Sequence, residues 1–386
     1  MKIILSDIDA HLDFAPLTLT RPIAELRVGI LTNTERWNSL CPDCEISFET
    51  EEYLSQLYPL KNNDNPIWVN AAVIIDHDII EEIKNLPKEH ALFYDEDFIA
   101  YKGEKRKSRY QKNIIQTKSQ PIILKKRWHL FQKNDAVLKN DFKILTKGKK
   151  SAPLPSSNTL IGEKSQLFIE EGGTVEGANI NVKNGPVFIG KDAEVMEGSN
   201  LRGPLALCNH ATIKMGAKIY GATTIGPHCK VGGEVNNSIF LAYSNKGHDG
   251  FLGNSVIGEW CNIGADTNVS NLKSNYSKIK AYDYKTNKLE STDQQFMGIM
   301  MGDHSKTSIN TMLNTATVIG VSTMIYGHGF PSKFIPDFSW GEHDGFDFGK
   351  AVVMANNMMV RRGKNLSEKE LQILKYLKNK AVGARG

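Results

Sequence analysis

His248 is the residue whose neighbours best suit it to chemistry. It sits in the polar stretch Tyr243-Ser244-Asn245-Lys246-Gly247-His248-Asp249-Gly250, where a regular run of aliphatic residues is interrupted. An imidazole titrates near neutrality, so a loop histidine can accept the proton that an attacking nucleophile sheds. An ordinary solvated histidine is the competing reading. His210 and His228 lie 18 residues apart, which suits two ligands of a zinc ion awaiting a third, or two polar corner residues. Near the start, Ser6-Asp7-Ile8-Asp9-Ala10-His11-Leu12-Asp13-Phe14 offers Asp7 and Asp9 either as Mg²⁺ ligands or as acids capping the first strand. Cys41-Pro-Asp-Cys44 is a CxxC without a second pair and reads as a surface turn. Five cysteines, an odd count with no framework spacing, point to a reducing compartment.

A period of six positions these residues. Every sixth residue from Ile189 gives Val195, Leu201, Leu207, Ile213, Ile219, Ile225 and Val231, all aliphatic. A helix repeats near 3.6 residues and a strand near 2, so neither keeps this phase. Short strands joined by tight corners do, with three hexads to a coil and one side chain per strand aimed at a common axis. Gly190, Gly226 and Gly232 follow three ladder residues, where a Cβ would obstruct the turn. Beyond Val231 the phase slips by two and resumes as Ile239, Phe251, Ile257, Ile263 and Val269, failing at Asn245. Tyr243–Gly250 is therefore expected as a loop ejected from the coil. Met301, Thr307, Leu313, Ile319 and Ile325 form a third run after a polar excursion from Asn271 to Gln295. Ile161, Leu167, Val175 and Val187 carry a looser form of the pattern ahead of the ladder. The expectation is about eight or nine coils of parallel β-helix over residues 155–330.

The flanks read differently. Residues 1–101 suggest mixed α/β structure, with strands at Lys2–Leu5, Ile67–Val69 and Val73–Ile75 and a helix from Asp78 to Leu86 ended by Pro87. Residues 102–150 hold 16 Lys/Arg against three acids and read as a basic connector with a few strands. With one aromatic cluster, Trp128, His129 and Phe131, and no motif, this segment suits a phosphate-rich metabolite or a solvated face, and no nucleic-acid partner is expected. Ser151–Ser157 is a linker by composition. The capping box Ser367–Glu370 precedes Leu371, Leu374 and Leu377, so a C-terminal helix should lie across the coils. The implied domains are 1–150, 151–335 and 336–386. No signal-peptide pattern follows Met1, and no run approaches the ~20 apolar residues of a membrane span. A cytoplasmic protein without a membrane partner is expected.

Pro16-Leu17-Thr18-Leu19-Thr20-Arg21-Pro22, continuing to Glu25-Leu26-Arg27-Val28-Gly29, resembles the start of sugar-1-phosphate nucleotidyltransferases. With hexapeptides behind it, the chain looks like the bifunctional N-acetylglucosamine-1-phosphate uridyltransferase/glucosamine-1-phosphate acetyltransferase family, in its divergent Bacteroidetes-type branch. The resemblance implies a reduced, Rossmann-like α/β front domain, then an all-β left-handed parallel β-helix with a C-terminal helix. It also implies a homotrimer with acetyl transfer at the subunit interfaces. Where the family has a G-x-G-x-R loop whose backbone N–H groups meet the triphosphate, this chain has Ser6–Phe14, with no glycine and three aspartates. That departure speaks against nucleotidyl transfer. It leaves Arg21 and Arg27 as candidate nucleotide contacts and Mg²⁺ as the ion such chemistry would use.

Ser244-Asn245-Lys246-Gly247-His248 is similar to the family's S-K-A-G-H segment, with Leu252-Gly253 at the family distance. This implies that His248 is the general base for an amine attacking the thioester of acetyl-CoA. By the same resemblance Glu234 lies near the sugar. Asn236 and Phe251 replace a phosphate-holding lysine and a tyrosine, so Lys246, Lys214 or Arg202 would supply the phosphate contact. Asn271 would meet sugar and acetyl-CoA, Lys273 the sugar phosphate, and Asn310, Thr311 and Arg361 coenzyme A. The implied function is acetyl-CoA-dependent N-acetylation of glucosamine 1-phosphate, towards UDP-N-acetylglucosamine and cell-envelope precursors, with no resident metal. The alternatives are a γ-carbonic-anhydrase-like zinc β-helix and a non-catalytic, regulatory sugar-nucleotide-binding protein.

Overall fold

The computed structural model describes residues 1–7, 9–61, 65–104, 113–341 and 344–383; residues 105–112 of the basic segment lie outside the described residues. Strand β1 (Lys2–Ser6), buried over four of its five residues, centres the front sheet. Around it lie β2 (Glu45–Glu49), β3 (Ile67–Asn70), β4 (His90–Tyr94), β5 (Asp97–Lys102) and β6 (Ile114–Gln116), in the order β2-β1-β3-β5-β4-β6. The β2-β1-β3 core is parallel, and β5 runs antiparallel to both β3 and β4. Helix α1 (Asn33–Leu40) starts with a capping box between Thr32 and Glu35. Helix α2 (His77–Lys84), capped by Asp76, falls where the sequence placed a helix. The basic connector instead holds an 18-residue helix, α3 (His129–Thr146). Its buried residues Leu130, Phe131, Asn134, Val137, Leu138, Asp141 and Phe142 form one stripe among the lysines. Cys41 and Cys44 are buried and disulfide-bonded rather than a surface turn, against the expectation of reduced thiols. Cys208, Cys229 and Cys261 are free and buried.

Residues 159–340 wind a parallel β-helix, consistent with the left-handed class, whose longest face stacks nine strands. None of the eight residues from Ile189 to Val231 in the ladder is more than 3% exposed. The second run keeps a different phase from that expected. The register pairs Ile225 with Phe240, Val231 with Lys246 and Val235 with Leu252. The inward residues are therefore Phe240 and Leu252, not Ile239 and Phe251, because the corners after Val231 and Val235 are shortened. Asn245 is no failed ladder position. It is the outward neighbour of an inward Lys246, and Asn245–Lys246 is a strand of the coil. The expected ejected loop shrinks to the corner Gly247–Gly250. Ile161 also faces outward, while Leu160 packs inward.

One column of corners is built from Asp192, His210, His228, Tyr243, Trp260, His304, Ser322 and Phe338, all with φ between 52° and 60°. Their rings stack: His210 on His228 at 4.7 Å, His228 on Tyr243 at 4.6 Å, Tyr243 on Trp260 at 4.1 Å. This overturns the zinc-pair reading, since the two imidazoles lie face to face instead of converging on a point. Among the described residues no group of three or more His, Cys, Asp or Glu could hold a metal ion. Gly226 has its expected cause, because a Cβ there would sit 1.6 Å from the Leu241 carbonyl oxygen of the next coil.

The nine-stranded face is apolar outside as well as inside. Phe168, Phe188, Ala206 and Cys208 pack against Ile30, Leu138 and Phe142. Further along, Ile239, Leu241, Val256, Met300 and Val318 join the front domain's own core. Polar contacts set the docking: Thr224 Oγ1 donates to Gly29 O at 2.7 Å, and Asn134 Nδ2 to Ala222 O at 2.7 Å. Gly29 has φ 72°, and a Cβ would stand 2.3 Å from Asp141 Oδ2, so no other residue fits this turn. The excursion after Asn271 forms a hairpin, Lys280–Asp283 with Lys288–Ser291. From it Tyr282 O accepts from Arg127, and Lys285 Nζ reaches Asp9 O at 2.9 Å and Asp13 at 2.6 Å. Helix α4 (Phe348–Val360) has no counterpart in the sequence reading, whereas α5 (Glu368–Gly383) begins at the expected capping box. Its Ile373, Leu374 and Leu377 pack with Leu19, Leu54, Val321 and Phe338, so α5 bridges coil and front domain.

Both arginines expected to meet nucleotide phosphates are spent in this framework. Arg21 is 6% exposed and paired with Asp303 and Glu259 of the coil. Burial opposes its charge, but Asp303 and Glu259 outweigh that and hold its pKa well above the usual value. Arg27 clasps Glu35 with two N–H groups at 2.8 and 2.9 Å and also donates to Ile30 O. Arg21→Ala leaves the buried Asp303 and the half-buried Glu259 without their cation and is expected to destabilise the protein by about 3–5 kcal/mol in urea unfolding. A loss under about 1 kcal/mol would show that the pair contributes little.

His304 sits in the same seam, its Nδ1 enclosed without a partner. Burial holds its pKa down to about 4. The folded form thus binds fewer protons than the unfolded one between pH 6.5 and 4, and the contribution present above pH 6.5 is lost as pH falls through that window. Asn tolerates the left-handed corner, so wild type should lose on the order of 1–3 kcal/mol more than His304→Asn between pH 7 and 4.5. Equal losses in parallel urea titrations would remove this role.

Candidate active site

His248 lies on the corner Gly247–Gly250, exposed at the edge of a cleft of about 300 Å³ lined by Met215, Gly233, Asp249, Ala265 and Asp266. The corner is anchored from within the coil. Lys246, 1% exposed, occupies an inward ladder position and sends Nζ to three carbonyl oxygens: His248 at 2.7 Å, Gly232 at 3.1 Å and Asp249 at 3.3 Å. Burial lowers the Lys246 ammonium to about 8. Lys246 therefore does not face a substrate phosphate, as the sequence allowed. It holds the histidine's backbone.

Gly233 and Gly250 lead from this corner into the six-stranded face of the coil, where residues either side of each inward aliphatic form two rows. Thr159, Asn179, Asn200, Lys218, Glu234 and Phe251 make one row; Ile161, Asn181, Arg202, Tyr220, Asn236 and Gly253 make the other. Successive strands stand about 4.7–4.9 Å apart. Glu234 follows Gly233 of the cleft and accepts from Tyr220 Oη at 2.7 Å, which pushes the phenol up to about 12. Lys218 and Tyr220 were missed as site residues. Their signal was present in the polar residues flanking Ile219, which a search for aliphatic period alone passes over.

The other candidates divide by geometry. Asn271 lies over Gly253, whose added Cβ would be 2.6 Å from its Nδ2, and donates to Asn254 Oδ1 at 2.7 Å, so it continues the second row. Arg202 is exposed on that row two strands from Glu234. Lys214, half-buried, stands beside Gly232 near the cleft. Lys273 turns its ammonium back onto its own loop, to Lys278 O at 3.0 Å. Asn310 is an exposed corner with φ 55°; its N–H donates to Ala265 O, and Asp266 N donates to Asp249 O, so three corners stack from Asn310 to the His248 turn. Thr311 is buried, with Oγ1 bonded to Ser308 O at 2.8 Å. Arg361 is exposed at the end of α4, and Arg362 reaches Asn245 Oδ1 at 3.1 Å. Arg362 is the first cause of the lowered Lys230 pKa, with Lys214 and Arg361 adding to it, so these cations crowd one edge. Asp7 is no open metal ligand: it accepts from Ile23 N, from Thr50 Oγ1 and bonds the His11 ring.

Residues 3–150 match a family model described as sugar nucleotidyl transferase. A bifunctional sugar-1-phosphate nucleotidylyltransferase/acetyltransferase of Sulfurisphaera tokodaii is 30% identical over 178 residues, 46% of this chain and 43% of that protein. The bifunctional protein GlmU of Synechococcus elongatus is 26% identical over 174 residues, 43% of this chain and 33% of its own length. That of Methanocaldococcus jannaschii is 29% identical over 123 residues, covering 32% and 27%. The chain thus spans less than half the length of these curated relatives. No helix among the described residues is long and apolar enough to cross a membrane. The resemblance read from Pro16–Gly29 and the hexapeptides therefore stands: this chain is similar to sugar nucleotidyl transferases over residues 3–150, and 43–46% of it is similar to bifunctional nucleotidyltransferase/acetyltransferases.

Proposed function

We propose that the protein transfers an acetyl group from acetyl-CoA to the amine of a sugar phosphate, glucosamine 1-phosphate on the family likeness, with His248 as general base. The observation that carries this is an exposed imidazole at an open cleft, on a turn whose backbone is held from inside the coil. Lys246 pins its turn from inside the coil, Glu234 flanks it on the six-stranded face, and the Asn310 corner lies on its other side. In this reading Glu234 and Asn271 orient the sugar, and Lys214, beside the cleft, meets its phosphate. His248 removes the amine proton as nitrogen attacks the thioester carbonyl; the tetrahedral intermediate then expels the coenzyme A thiolate, which takes up a proton. Backbone N–H groups at the corner stabilise the developing oxyanion. Coenzyme A runs along the Asn310 edge, past exposed Ile309 and Met312, towards Arg361 and its neighbouring cations. The fold suits a cytoplasmic homotrimer in which a second subunit closes the cleft.

The front domain acts here as a fixed cover and not as a nucleotidyltransferase. Arg21, Arg27 and Asp7 are all committed to internal partners, so neither a triphosphate nor Mg²⁺ finds free groups among them. Acetyl transfer to glucosamine 1-phosphate, followed by thiol release, is expected to fall about 10²–10⁴-fold in His248→Ala. Retained activity would sink the assignment. Lys246→Met should lower the unfolding free energy by about 1–3 kcal/mol, since three carbonyls lose their donor, and should depress kcat with it. A variant as stable and active as wild type would show that the buried ammonium does not set the turn.

A further inference from the structure

The six-stranded face is longer than the proposed acceptor needs. A sugar phosphate placed beside His248 and Glu234 spans two or three strands. The same rows continue, however, and carry a separate groove of about 360 Å³ lined by Lys218, Tyr220, Arg202, Asn200, Asn181 and Ile161 among others. From Glu234 to Asn179 is three strand steps, roughly 14 Å at the usual spacing. The chemistry changes in order along it. Glu234 lies next to the cleft, Lys218 and Tyr220 share the next strand, and Arg202 is on the one after, so the two cations stand on adjacent strands and diagonal to each other. Asn200 stands beside Arg202, and the next strand adds the side-chain amides of Asn179 and Asn181, with Asn179 and Asn200 bonded to each other at 3.1 Å. The far end carries the exposed apolar side chain of Ile161. Among the described residues neither Lys218 nor Arg202 has an ion pair. Both side chains are exposed on this face, so two cations are free for an anion.

We propose that this groove binds a nucleoside-diphosphate-linked sugar. The sugar lies at Glu234, the diphosphate across Lys218 and Arg202, and the nucleoside over the asparagine amides and Ile161. One phosphate uses one of the cations; a diphosphate uses both. Asparagine amides present donors and acceptors that match a pyrimidine edge or ribose hydroxyls, and Ile161 gives the base an apolar surface. The proposal rests on the acetyl-transfer reading only for which end faces His248, and it enlarges the acceptor from a sugar phosphate to a nucleotide sugar.

The test is isothermal titration calorimetry on the full-length protein with UDP-glucose and glucose 1-phosphate as probes at one ionic strength. UDP-glucose is expected to bind at least about tenfold more tightly, as one added charged hydrogen bond allows. Arg202→Ala should weaken UDP-glucose about tenfold and glucose 1-phosphate less than about twofold. Asn181→Ala should act in the same direction. Equal affinities of the two probes, or an Arg202→Ala loss shared by both, overturns the groove. The two readings fail separately. Arg202-dependent UDP-glucose binding without acetylation of any amino sugar removes the transferase and keeps the groove. Efficient acetylation of glucosamine 1-phosphate with no preference for UDP-glucose removes the groove alone.

Discussion

A coil of this kind can bury only the side chains that point to its axis, and each outward residue must find water or a neighbour. On the nine-stranded face the outward residues are Phe168, Phe188, Ile239, Val256, Met300 and Val318, and water is no partner for these. The front domain is their neighbour, and most of the molecule follows from that requirement. Helix α3 lies on this face with Leu138 and Phe142, the Val28–Leu31 turn is threaded between α3 and the coil, and Arg36 with Asp141 closes the turn from behind. The basic segment is therefore not a connector between two independent bodies. It is the packing surface by which one becomes part of the other.

The same requirement explains why the front domain departs from a glycine-rich start. Residues 11–21 do not surround an open crevice: Phe14, Ala15, Leu17, Thr18 and Leu19 are buried, and Arg21 is tied to the coil through Asp303 and Glu259. A loop whose backbone N–H groups must face a triphosphate needs glycine and solvent. A loop that seals an interface needs aliphatic side chains and paired charges. Pro16–Pro22 serves the second purpose while keeping residues that resemble the first.

Much of this was legible in the sequence, and the exceptions have physical causes. The ladder from Ile189 to Val231 was read without error because a repeat with no insertions leaves only one phase. Past Val231 the phase was misassigned at Ile239 and Phe251, since shortened corners move the inward position by one residue and both neighbours are apolar. Lys246 was hidden for a different reason. Lysine is so rarely buried that its core position could not be told from the charged loop around it, and only the three carbonyls that receive its ammonium make the burial tolerable. Helix α1 carries a readable signal in the capping box Thr32-Asn-Thr-Glu35. The pairing of Arg21 with Asp303 links residues 282 apart, and no local pattern announces such a partner.

The division of surfaces finally constrains where any ligand can act. The front domain covers one face of the coil. A second carries Lys230 and Asn245 beneath the Arg361–Arg362 segment that follows α4. The third, with its rows of asparagine, lysine, arginine and glutamate, is left facing outward, and His248 stands at the corner where the second face turns into it. A histidine in the middle of a face would meet a ligand from one side only. At a corner it can meet one partner lying along the outward rows and another running down the stacked turns towards Asn310. The outward rows and the stacked turns both run along the coil axis, the rows towards Asn179 and the turns towards Asn310, so a corner residue held from inside can be approached from both directions.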